Sequence, residues 1–355
     1  MITVVLGGQY GSEGKGSVVS WLARNTKFDL VIRTGSPNAG HTFKDCAGTI
    51  FKMRQLPCTW AFQHTDVYVP AGAVVNLAVL ESETKMMRED GWEGQVHVSP
   101  QASVISYEAM EQEKVISTGT TGEGVGATRA MKCLRQAKLV RDFYNEGNLR
   151  ESQRVVHHLL SNPDKHILIE ASQGYGLSMD RKEYPFCTST NLDTYRVLSD
   201  AEVPAGVHHQ TGVVLVLRTF PIRIAGNSGH LFNETSWEKL RLQYGNHIPD
   251  EQTTVTKKTR RVGEFDPELA QEAYHRCGAN NVVLTFVDYV FPNIAETGVT
   301  KEVDHWVSHL EGLAGLNVNW LGIGIGEVIP RFYIHPDDAK RLKRLTEKPE
   351  VHDPR

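Results

Sequence analysis

The fold of this chain is decided by the stretch Val4-Val5-Leu6-Gly7-Gly8-Gln9-Tyr10-Gly11-Ser12-Glu13-Gly14-Lys15-Gly16-Ser17. Its apolar start predicts a strand, its glycines predict a turn, and residues 18–23 predict the start of a helix. A strand, a glycine turn and a helix in that order aim backbone N–H groups, backed by the helix dipole, at a phosphate. Lys15 would add a point charge on the phosphate oxygens. We therefore predict a phosphate-binding loop.

The same stretch departs from the Walker A pattern at two positions. That pattern has glycine where this chain has Gln9, and serine or threonine where it has Gly16. The alternative is a glycine-rich turn of an α/β protein that binds no ligand. We favour a phosphate cradle of some kind over this alternative.

Composition narrows the class of protein. The chain has 355 residues, of which 40% are hydrophobic and 23% charged, as is typical of a soluble globular enzyme. Its net charge of −4 does not favour nucleic acid as a partner. Two local basic groups are either solvated faces or sites for one small phosphate or carboxylate: Lys132, Arg135, Lys138 and Arg141, and Lys257, Lys258, Arg260 and Arg261.

Cysteine usage and hydropathy indicate the compartment. The five cysteines are odd in number and form no CxxC pair, which predicts a reducing compartment with neither a disulfide framework nor a zinc site. No apolar run approaches 18 residues, and the N-terminus leads directly into a strand. We expect a cytoplasmic protein with no membrane segment, in the host cytoplasm if a phage encodes it.

Apolar runs alternate with amphipathic segments along the chain. We expect strands at 30–33, within 65–75, and at 95–98, 167–170, 213–220, 281–287 and, as the last strand, 318–325. Helices are expected at 76–90, 104–116, 149–161, 192–201, 266–277, 303–314 and 337–346. This alternation predicts an α/β fold with a central, largely parallel sheet and flanking helices. No linker is visible, so we expect one domain over 1–355.

Polar loops follow the strands, at the edge where such sheets bind ligands. In chain order they include Gly11-Ser12-Glu13-Gly14-Lys15-Gly16, Asn38-Ala39-Gly40-His41-Thr42, Gly119-Thr120-Thr121-Gly122, Gln173-Gly174, Tyr184-Pro185-Phe186-Cys187-Thr188-Ser189 and Thr253-Thr254-Val255-Thr256-Lys257-Lys258-Thr259-Arg260-Arg261. The ordered set resembles the adenylosuccinate synthetase family over nearly the whole chain. The resemblance implies that family's P-loop-like fold, and the length is similar to that of its compact archaeal and phage members.

Two departures from the family pattern bear on the substrate. The first loop of the family usually carries an aspartate, the base that removes the N1 proton of IMP, where this chain has Ser12. Four consecutive arginines are usual where it has Lys258-Thr259-Arg260-Arg261. Both changes resemble the phage branch that makes 2-aminoadenine nucleotides, in which dGMP replaces IMP as the acceptor.

The resemblance implies a reaction in two steps. The purine 6-oxygen attacks the γ-phosphate of a nucleoside triphosphate, and the amine of L-aspartate then displaces phosphate at C6. Such a reaction needs mainly positioning and neutralisation of charge. Ser12, Lys15, His41 and Gln173 are the implied catalytic residues. Mg²⁺ is the implied cofactor, with Ser12 and the carbonyl of Gly40 as its ligands.

The resemblance also implies the residues that bind the phosphate donor. They are Gly11, Glu13, Gly14, Lys15, Gly16, Ser17, Gly40, His41, Thr42, Asp288 and Gly324. His41 would be a general acid or electrostatic partner at the phosphoryl oxygens. The alternative for His41 is a loop histidine that only satisfies backbone groups. For Gly324, the alternative is a strand-end turn without a ligand.

Two further sets are implied for the other substrates. The acceptor nucleotide would contact Ser12, Asn38, Thr120, Thr121, Arg135, Gln173 and Thr188, and L-aspartate would contact Thr254, Val255, Thr256, Lys258 and Arg260. In the family, the arginine matched by Arg135 reaches the monophosphate of the other subunit, so a homodimer is implied. The alternative is an ordinary arginine on a helix surface. Lys258 lacks the planar fork of an arginine.

Ser12 distinguishes between the candidate acceptors. An aspartate there would lie against the N1/C2 edge of hypoxanthine, where guanine adds an amino group. A shorter side chain relieves this crowding, and its hydroxyl can accept a hydrogen bond from that amine. We therefore predict that dGMP is favoured over IMP. The alternative is an enzyme for IMP in which Ser12 is tolerated or inactivating.

The sequence leaves two alternatives for the base of the phosphate donor, guanine and adenine. Asp288 in Thr285-Phe286-Val287-Asp288 matches the aspartate that reads guanine in the family, which points to GTP. The phage branch is associated with ATP or dATP, and Phe286 replaces a lysine of the family triplet, so we favour ATP or dATP. Two other functions remain as alternatives: an ordinary adenylosuccinate synthetase that uses IMP and GTP, and a nucleotide-binding switch that hydrolyses its triphosphate slowly.

Overall fold

A computed structural model describes residues 1–45, 47–59, 64–116, 121–206, 211–253 and 257–331. Within them the chain builds a nine-stranded sheet, with strands numbered in chain order. From one edge to the other they are β15 (Glu327–Pro330), β14 (Trp320–Gly324), β13 (Asn281–Thr285), β10 (Thr211–Arg218), β1 (Ile2–Gly7), β9 (Ile167–Gly174), β2 (Leu30–Arg33), β5 (Asp66–Val69) and β7 (Val96–Val98). Every neighbouring pair is parallel except β14 and β15. The expected α/β fold with a largely parallel sheet is confirmed.

In the part of the chain that the structure describes, three shorter ladders lie outside this sheet. They are the antiparallel pair β3 (His41–Lys44) and β4 (Ile50–Met53), the parallel pair β6 (Val74–Val75) and β8 (Ser103–Val104), and the antiparallel pair β11 (Ile222–Arg223) and β12 (Arg261–Val262). The hairpin of β3 and β4 carries His41 at its first position. It packs against the helix that follows the glycine loop, because Ser20 donates a hydrogen bond to the Lys44 carbonyl at 3.0 Å.

The helices flank the sheet. They are α1 (Lys15–Asn25), α2 (Leu77–Glu89), α3 (Tyr107–Lys114), α4 (Val125–Cys133), α5 (Glu146–Ser161), α6 (Thr194–Asp200), α7 (Trp237–Tyr244), α8 (Pro267–Cys277), α9 (Ile294–Thr297) and α10 (Lys301–Ala314). Several begin where a side chain accepts a backbone N–H of the first turn, as at Asn76, Asp193 and Thr300. Among the helices of the described residues, none combines the length and the apolar character that crossing a membrane requires.

The apolar core lies on both faces of the sheet. In β1, Val4 and Leu6 belong to one buried cluster and Val5 to the other; in β10, Leu215 and Val216 divide in the same way. Burial on both faces is the reason that these strands are continuous apolar runs. It also leaves the carboxyl ends of the strands as the place where polar loops collect.

The elements differ from the expectation at the polar segments. The strand expected at 318–325 is β14, but it is not the last, because Gly326 turns the chain back into antiparallel β15. The β3–β4 hairpin and α7 were not predicted, since strands of four residues with polar alternate positions resemble loops. The helix expected at 337–346 lies outside the described residues.

Candidate active site

A cavity of about 350 Å³ opens at the carboxyl ends of the central strands. It is bounded by the glycine loop after β1, by the start of β3, and by segments after β10, β13 and β14. Its lining includes Ser12, Gly14, Lys15, Gly16, Ser17, Gly40, His41, Thr42, Glu251, Gln252, Arg260, Thr285, Phe286, Asp288, Tyr289 and Gly324. Most residues expected at the phosphate donor therefore meet in one cavity.

The two departures from the Walker A pattern have structural causes. The Gln9 side chain accepts the backbone N–H of Arg218 at 2.9 Å and donates to its carbonyl at 3.1 Å, so it ties the loop to the end of β10. A Cβ on Gly16 would lie 2.8 Å from the Thr42 carbonyl oxygen and 2.9 Å from the Cys58 sulfur. No side chain fits at Gly16 without moving the backbone of β3.

Glu13 and Lys15 form a buried ion pair inside the loop. The Lys15 ammonium lies 2.6 Å from one carboxylate oxygen of Glu13, and the other oxygen accepts the backbone N–H groups of Gln9 and Gly11. Burial alone would raise the pKa of Glu13, but Lys15 and these hydrogen bonds lower it below its ordinary value. Glu13 therefore shapes the loop from inside and is absent from the residues that line the cavity.

Ser12 lines the cavity in an unusual backbone conformation. Its φ is +57°, a left-handed value that serine seldom adopts. The guanidinium of Arg218 donates to its carbonyl at 2.9 Å. Arg218 is itself fully buried and pairs with both carboxylate oxygens of Glu251. The residue expected to read the purine is thus fixed through its backbone.

His41 is buried between oxygen atoms. Its Nδ1 contacts the Glu170 carboxylate, and its Nε2 lies 3.1 Å from the Ser172 carbonyl. The same carboxylate accepts from the Arg33 guanidinium at 3.2 Å and from the Cys58 N–H at 2.7 Å. His41 is therefore part of a polar network at the ends of β2 and β9, and its ring is held from both sides.

The titration of this pair follows from its surroundings. Burial, the Arg33 guanidinium and the Lys15 ammonium lower the pKa of His41 to about 4, against the opposing effect of Glu170. Burial raises the pKa of Glu170, but Arg33, His41 and the Cys58 N–H together lower this pKa to about 2. A neutral His41 ring can donate through one nitrogen only. One of its two oxygen contacts therefore lacks a proton unless the ring is charged.

Of the residues expected at the acceptor nucleotide, Gln173 lies beside the glycine loop and is hydrogen-bonded to Asn38. The Gln173 amide donates to the Asn38 side chain at 3.1 Å, and a Cβ on Gly11 would lie 4.0 Å from the Gln173 oxygen. Thr188 is half-buried, with its N–H bonded to the Leu177 carbonyl. Thr121 is exposed, and Thr120 lies outside the described residues.

Arg135 lies just beyond the end of α4, exposed and with φ +64°. It lies outside the helix itself, and its implied role at the partner's acceptor site stays a prediction. Of the residues expected at L-aspartate, Arg260 lines the cavity and Lys258 is exposed. Thr254, Val255 and Thr256 lie outside the described residues.

The far end of the cavity holds Asp288. One of its carboxylate oxygens is buried without a hydrogen-bond partner among the described residues, and burial raises the pKa of this group. Phe286 adopts φ +59° and packs its ring against the Arg218 guanidinium, 4.1 Å away. Gly324 belongs to the same wall. This end of the cavity combines an aromatic ring with a free acceptor.

Sequence reasoning missed several polar residues of the site, among them Glu170, Arg218, Glu251 and Tyr289. Glu170 and Arg218 had a local signal, because each carries a charge on an otherwise apolar strand. Glu251 and Tyr289 had none, since their partners are distant in sequence. Long-range pairing of buried charges cannot be inferred from either segment alone.

Oxygen donors suited to Mg²⁺ are present at the cavity. Gly40, Ser12 and the carboxylate of Asp288 line it, and hard cations prefer oxygen ligands. A second cluster is less suited to a cation: His41, Cys58 and Glu170 bring their ligand atoms within 4.8 Å of one another, but the Arg33 guanidinium already neutralises the same carboxylate. The residues at the main cavity therefore fit Mg²⁺ better.

Comparison with known proteins gives the family. A model of the family described as adenylosuccinate synthetase matches residues 4–162 and 148–302. The chain belongs to the adenylosuccinate synthetase family. Members of this family are ligases that form a C–N bond, so the predicted family and the class of enzyme are confirmed.

Relatives in this family carry two different names. An adenylosuccinate synthetase of Methanocaldococcus jannaschii is 30% identical over 339 residues, which cover 91% of this chain and 94% of that protein. An N6-succino-2-amino-2'-deoxyadenylate synthase of Vibrio phage phiVC8 is 31% identical over 306 residues, 82% of this chain and 87% of the phage protein. Both the archaeal and the phage members of the family are thus similar to this protein.

Solved structures show the same fold. The succinoaminodeoxyadenylate synthetase of cyanophage S-2L, bound to dGMP and to dATP as an energy donor, matches with a TM-score of 0.78 and 25% identity, covering 97% of this chain and 98% of the other. The fully ligated adenylosuccinate synthetase of Plasmodium falciparum matches with a TM-score of 0.77 and 17% identity, covering 93% and 99%. This second likeness concerns the fold alone.

Proposed function

We propose that this adenylosuccinate synthetase family member joins L-aspartate to C6 of dGMP, with ATP or dATP as the phosphate donor, and forms 2-amino-2'-deoxyadenylosuccinate. The observation that carries the proposal is Ser12, which lines the cavity where the family usually has an aspartate. The similarity to the phage synthase and to the cyanophage enzyme that binds dGMP and dATP supports it.

The hydroxyl of Ser12 gives the preference for guanine a physical basis. It occupies less space than a carboxylate, and its oxygen accepts a hydrogen bond from the amino group at C2. Hypoxanthine lacks this amino group, so IMP would leave the hydroxyl without that partner. Gln173 and Asn38, which are hydrogen-bonded to each other, would contact the purine and its monophosphate.

The phosphoryl group would pass between the glycine loop and His41. The 6-oxygen of dGMP attacks the γ-phosphate as N1 loses its proton, the β–γ bond breaks and the nucleoside diphosphate leaves. Lys15 and the loop N–H groups offset the charge on the transferring phosphoryl. The Glu170 carboxylate holds His41 by Nδ1, and a phosphoryl oxygen would take the place of the Ser172 carbonyl at Nε2, which donates to it when the ring is protonated. Arg260 and Lys258 would bind the carboxylates of L-aspartate, whose amine then displaces phosphate at C6.

Mg²⁺ is the proposed cofactor. Ser12 and the carbonyl of Gly40, which line the cavity, would hold it, and it would screen the charges of the phosphate groups. A homodimer is the proposed assembly, in which Arg135 reaches the partner's acceptor site. The position of Arg135 after α4, exposed and outside the helix, supports this role.

One observation favours GTP as the phosphate donor, which is the donor in the second candidate, the use of IMP with GTP. The unpartnered oxygen of Asp288 could accept from the N1 and N2 hydrogens of guanine in GTP. Against it, the similar cyanophage enzyme was solved with dATP as its energy donor, and Phe286 stands where the family triplet has a lysine. The donor base is therefore part of the test.

The test is a matrix of acceptors and donors. Release of phosphate and formation of the succinylated nucleotide are measured for dGMP, GMP and IMP, each with ATP, dATP and GTP, with and without L-aspartate. We expect the largest kcat/KM for dGMP with ATP or dATP, and no turnover without L-aspartate. Strong turnover of IMP with none of dGMP would refute the proposal. Phosphate release that is independent of L-aspartate would indicate a nucleotide-hydrolysing switch.

A further inference from the structure

We infer that Arg218 and Glu251 are positioning residues that hold Ser12 in its purine-reading orientation, and so set the preference between dGMP and IMP. The inference rests on the proposed function, because it concerns how the same residue discriminates. Neither residue belongs to the sets implied by the sequence motifs. Both are assigned by their contacts.

Arg218 connects Ser12 to a carboxylate. It lies at the carboxyl end of β10 and is fully buried. Its Nη1 donates to the Ser12 carbonyl at 2.9 Å and to one Glu251 oxygen at 3.3 Å, while Nη2 bonds the other Glu251 oxygen. Only the planar fork of arginine can make these contacts together. The ion pair thus fixes the direction of the Ser12 carbonyl.

The backbone of Ser12 needs such support. A left-handed serine is strained and persists where its surroundings determine it. The next residue is also held, because Thr285 donates from its hydroxyl to the Glu13 carbonyl at 2.7 Å. Since the peptide groups determine where the Ser12 side chain points, the Arg218 contact sets the position of the hydroxyl.

Arg218 and its partner Glu251 are themselves held by three further residues. The Gln9 amide bonds both backbone groups of Arg218, and the Phe286 ring lies 4.1 Å from its guanidinium. The Tyr289 hydroxyl donates to Glu251 at 3.1 Å. A group fixed this way loses little entropy when it orients another. The network gives Ser12 one orientation rather than several.

Glu251 also connects the purine end to the loop expected at L-aspartate. Its backbone carbonyl accepts the N–H of Arg260 at 2.8 Å, and both residues line the cavity. A change in the Arg218–Glu251 pair would therefore alter the position of Ser12 and the start of this loop. The two effects can be distinguished in kinetics. The displacement of Ser12 changes activity by an amount that depends on the base of the acceptor, whereas the effect on the L-aspartate loop is the same for every acceptor.

The experiment replaces the forked guanidinium of Arg218 with the single ammonium of lysine, which keeps the positive charge. In Arg218→Lys one ammonium cannot bond the Ser12 carbonyl and both Glu251 oxygens. We expect kcat/KM for dGMP to fall roughly ten- to hundredfold, the effect of a displacement of about 1 Å. For IMP the fall should be smaller, so the dGMP-to-IMP ratio decreases. Arg241→Lys is the matched control, since Arg241 pairs with Asp250 on the surface, and it should leave the ratio unchanged.

Two further variants make the result decisive. Glu251→Gln removes the counter-charge and should also decrease the ratio, and it serves if Arg218→Lys fails to fold. In a Ser12→Ala background, where no hydroxyl remains to be positioned, Arg218→Lys should not change the ratio further. An unchanged ratio in both single variants, with a wild type that prefers dGMP, overturns the positioning role. A wild type that does not use dGMP overturns the proposed function instead.

Discussion

Ser12 stands at the position where an aspartate would favour hypoxanthine over guanine. In Ser12→Asp we expect kcat/KM for dGMP to fall roughly a hundredfold, because the carboxylate crowds the amino group at C2, and IMP turnover to rise. Aspartate tolerates the left-handed backbone at this position, so folding should be retained. Steady-state kinetics with both acceptors measure the change. Ser12→Ala is the control that removes the hydroxyl without adding bulk, and undiminished use of dGMP by Ser12→Asp would contradict the prediction.

His41 predicts a dependence of stability on pH. In the unfolded chain its imidazole takes up a proton near its ordinary pKa of 6.5, but in the folded protein only near 4. Between these values the unfolded state binds more protons, so stability is complete above pH 6.5 and decreases as the pH falls towards 4. The loss is on the order of 3 kcal/mol when the titration is complete.

The measurement is the melting temperature between pH 7 and pH 4.5. It should fall with acid in the wild type, and the slope should be flatter in His41→Gln. His157→Gln, at an exposed position of α5, is the control and should keep the wild-type slope. Equal slopes in the two variants would rule out the assignment. Glu170 adds a second loss below pH 4.5, since its pKa is lowered to about 2.

At the level of elements, the glycine loop depends on its internal ion pair. Glu13→Gln leaves the Lys15 ammonium buried without a counter-charge, so the free energy of unfolding should fall by about 3 kcal/mol. Urea denaturation measures this loss. In the control, Glu89→Gln breaks an exposed pair with Lys85 and should cost under about 1 kcal/mol. Similar losses of unfolding free energy in both variants would show that the buried pair stabilises the protein no more than an exposed pair does.

The sequence was informative where an element is local and strongly patterned. The strand β1, the glycine loop and α1 are contiguous, and their apolar and glycine residues define them without tertiary information. The β3–β4 hairpin and β15 were missed because strands of four residues carry little period. The pairing of Arg218 with Glu251 joins residues 33 positions apart, and only the folded chain shows it.

At the scale of the whole molecule, the proposed homodimer has a specific test. Lys15→Ala and Arg135→Leu should each be nearly inactive, because one loses the phosphate cation and the other the reach into the partner's site. After the two are unfolded together and refolded at equal amounts, mixed dimers contain one intact site. We expect roughly a quarter of wild-type activity, since half of the dimers are mixed and one of their two sites is whole.

The control is the same mixture without unfolding, in which subunits that do not exchange should stay inactive. Recovery that is absent after refolding, with a dimer confirmed by light scattering, would show that Arg135 acts within its own subunit. If the protein is a monomer in solution and is fully active, the proposed homodimer is wrong. Each result concerns the assembly and leaves the choice of acceptor untouched.

The contact between Gly16 and the backbone of β3 separates this enzyme from the motor and switch proteins whose loops look alike. Those proteins place a hydroxyl at this point of the loop to hold their cation. Here a methyl group would already meet the Thr42 carbonyl at 2.8 Å. Conversion between the two kinds of loop therefore cannot proceed by point substitution. The β3–β4 hairpin that carries His41 would have to move first. The hairpin that places His41 for phosphoryl transfer therefore also prevents a hydroxyl side chain from holding the cation at position 16.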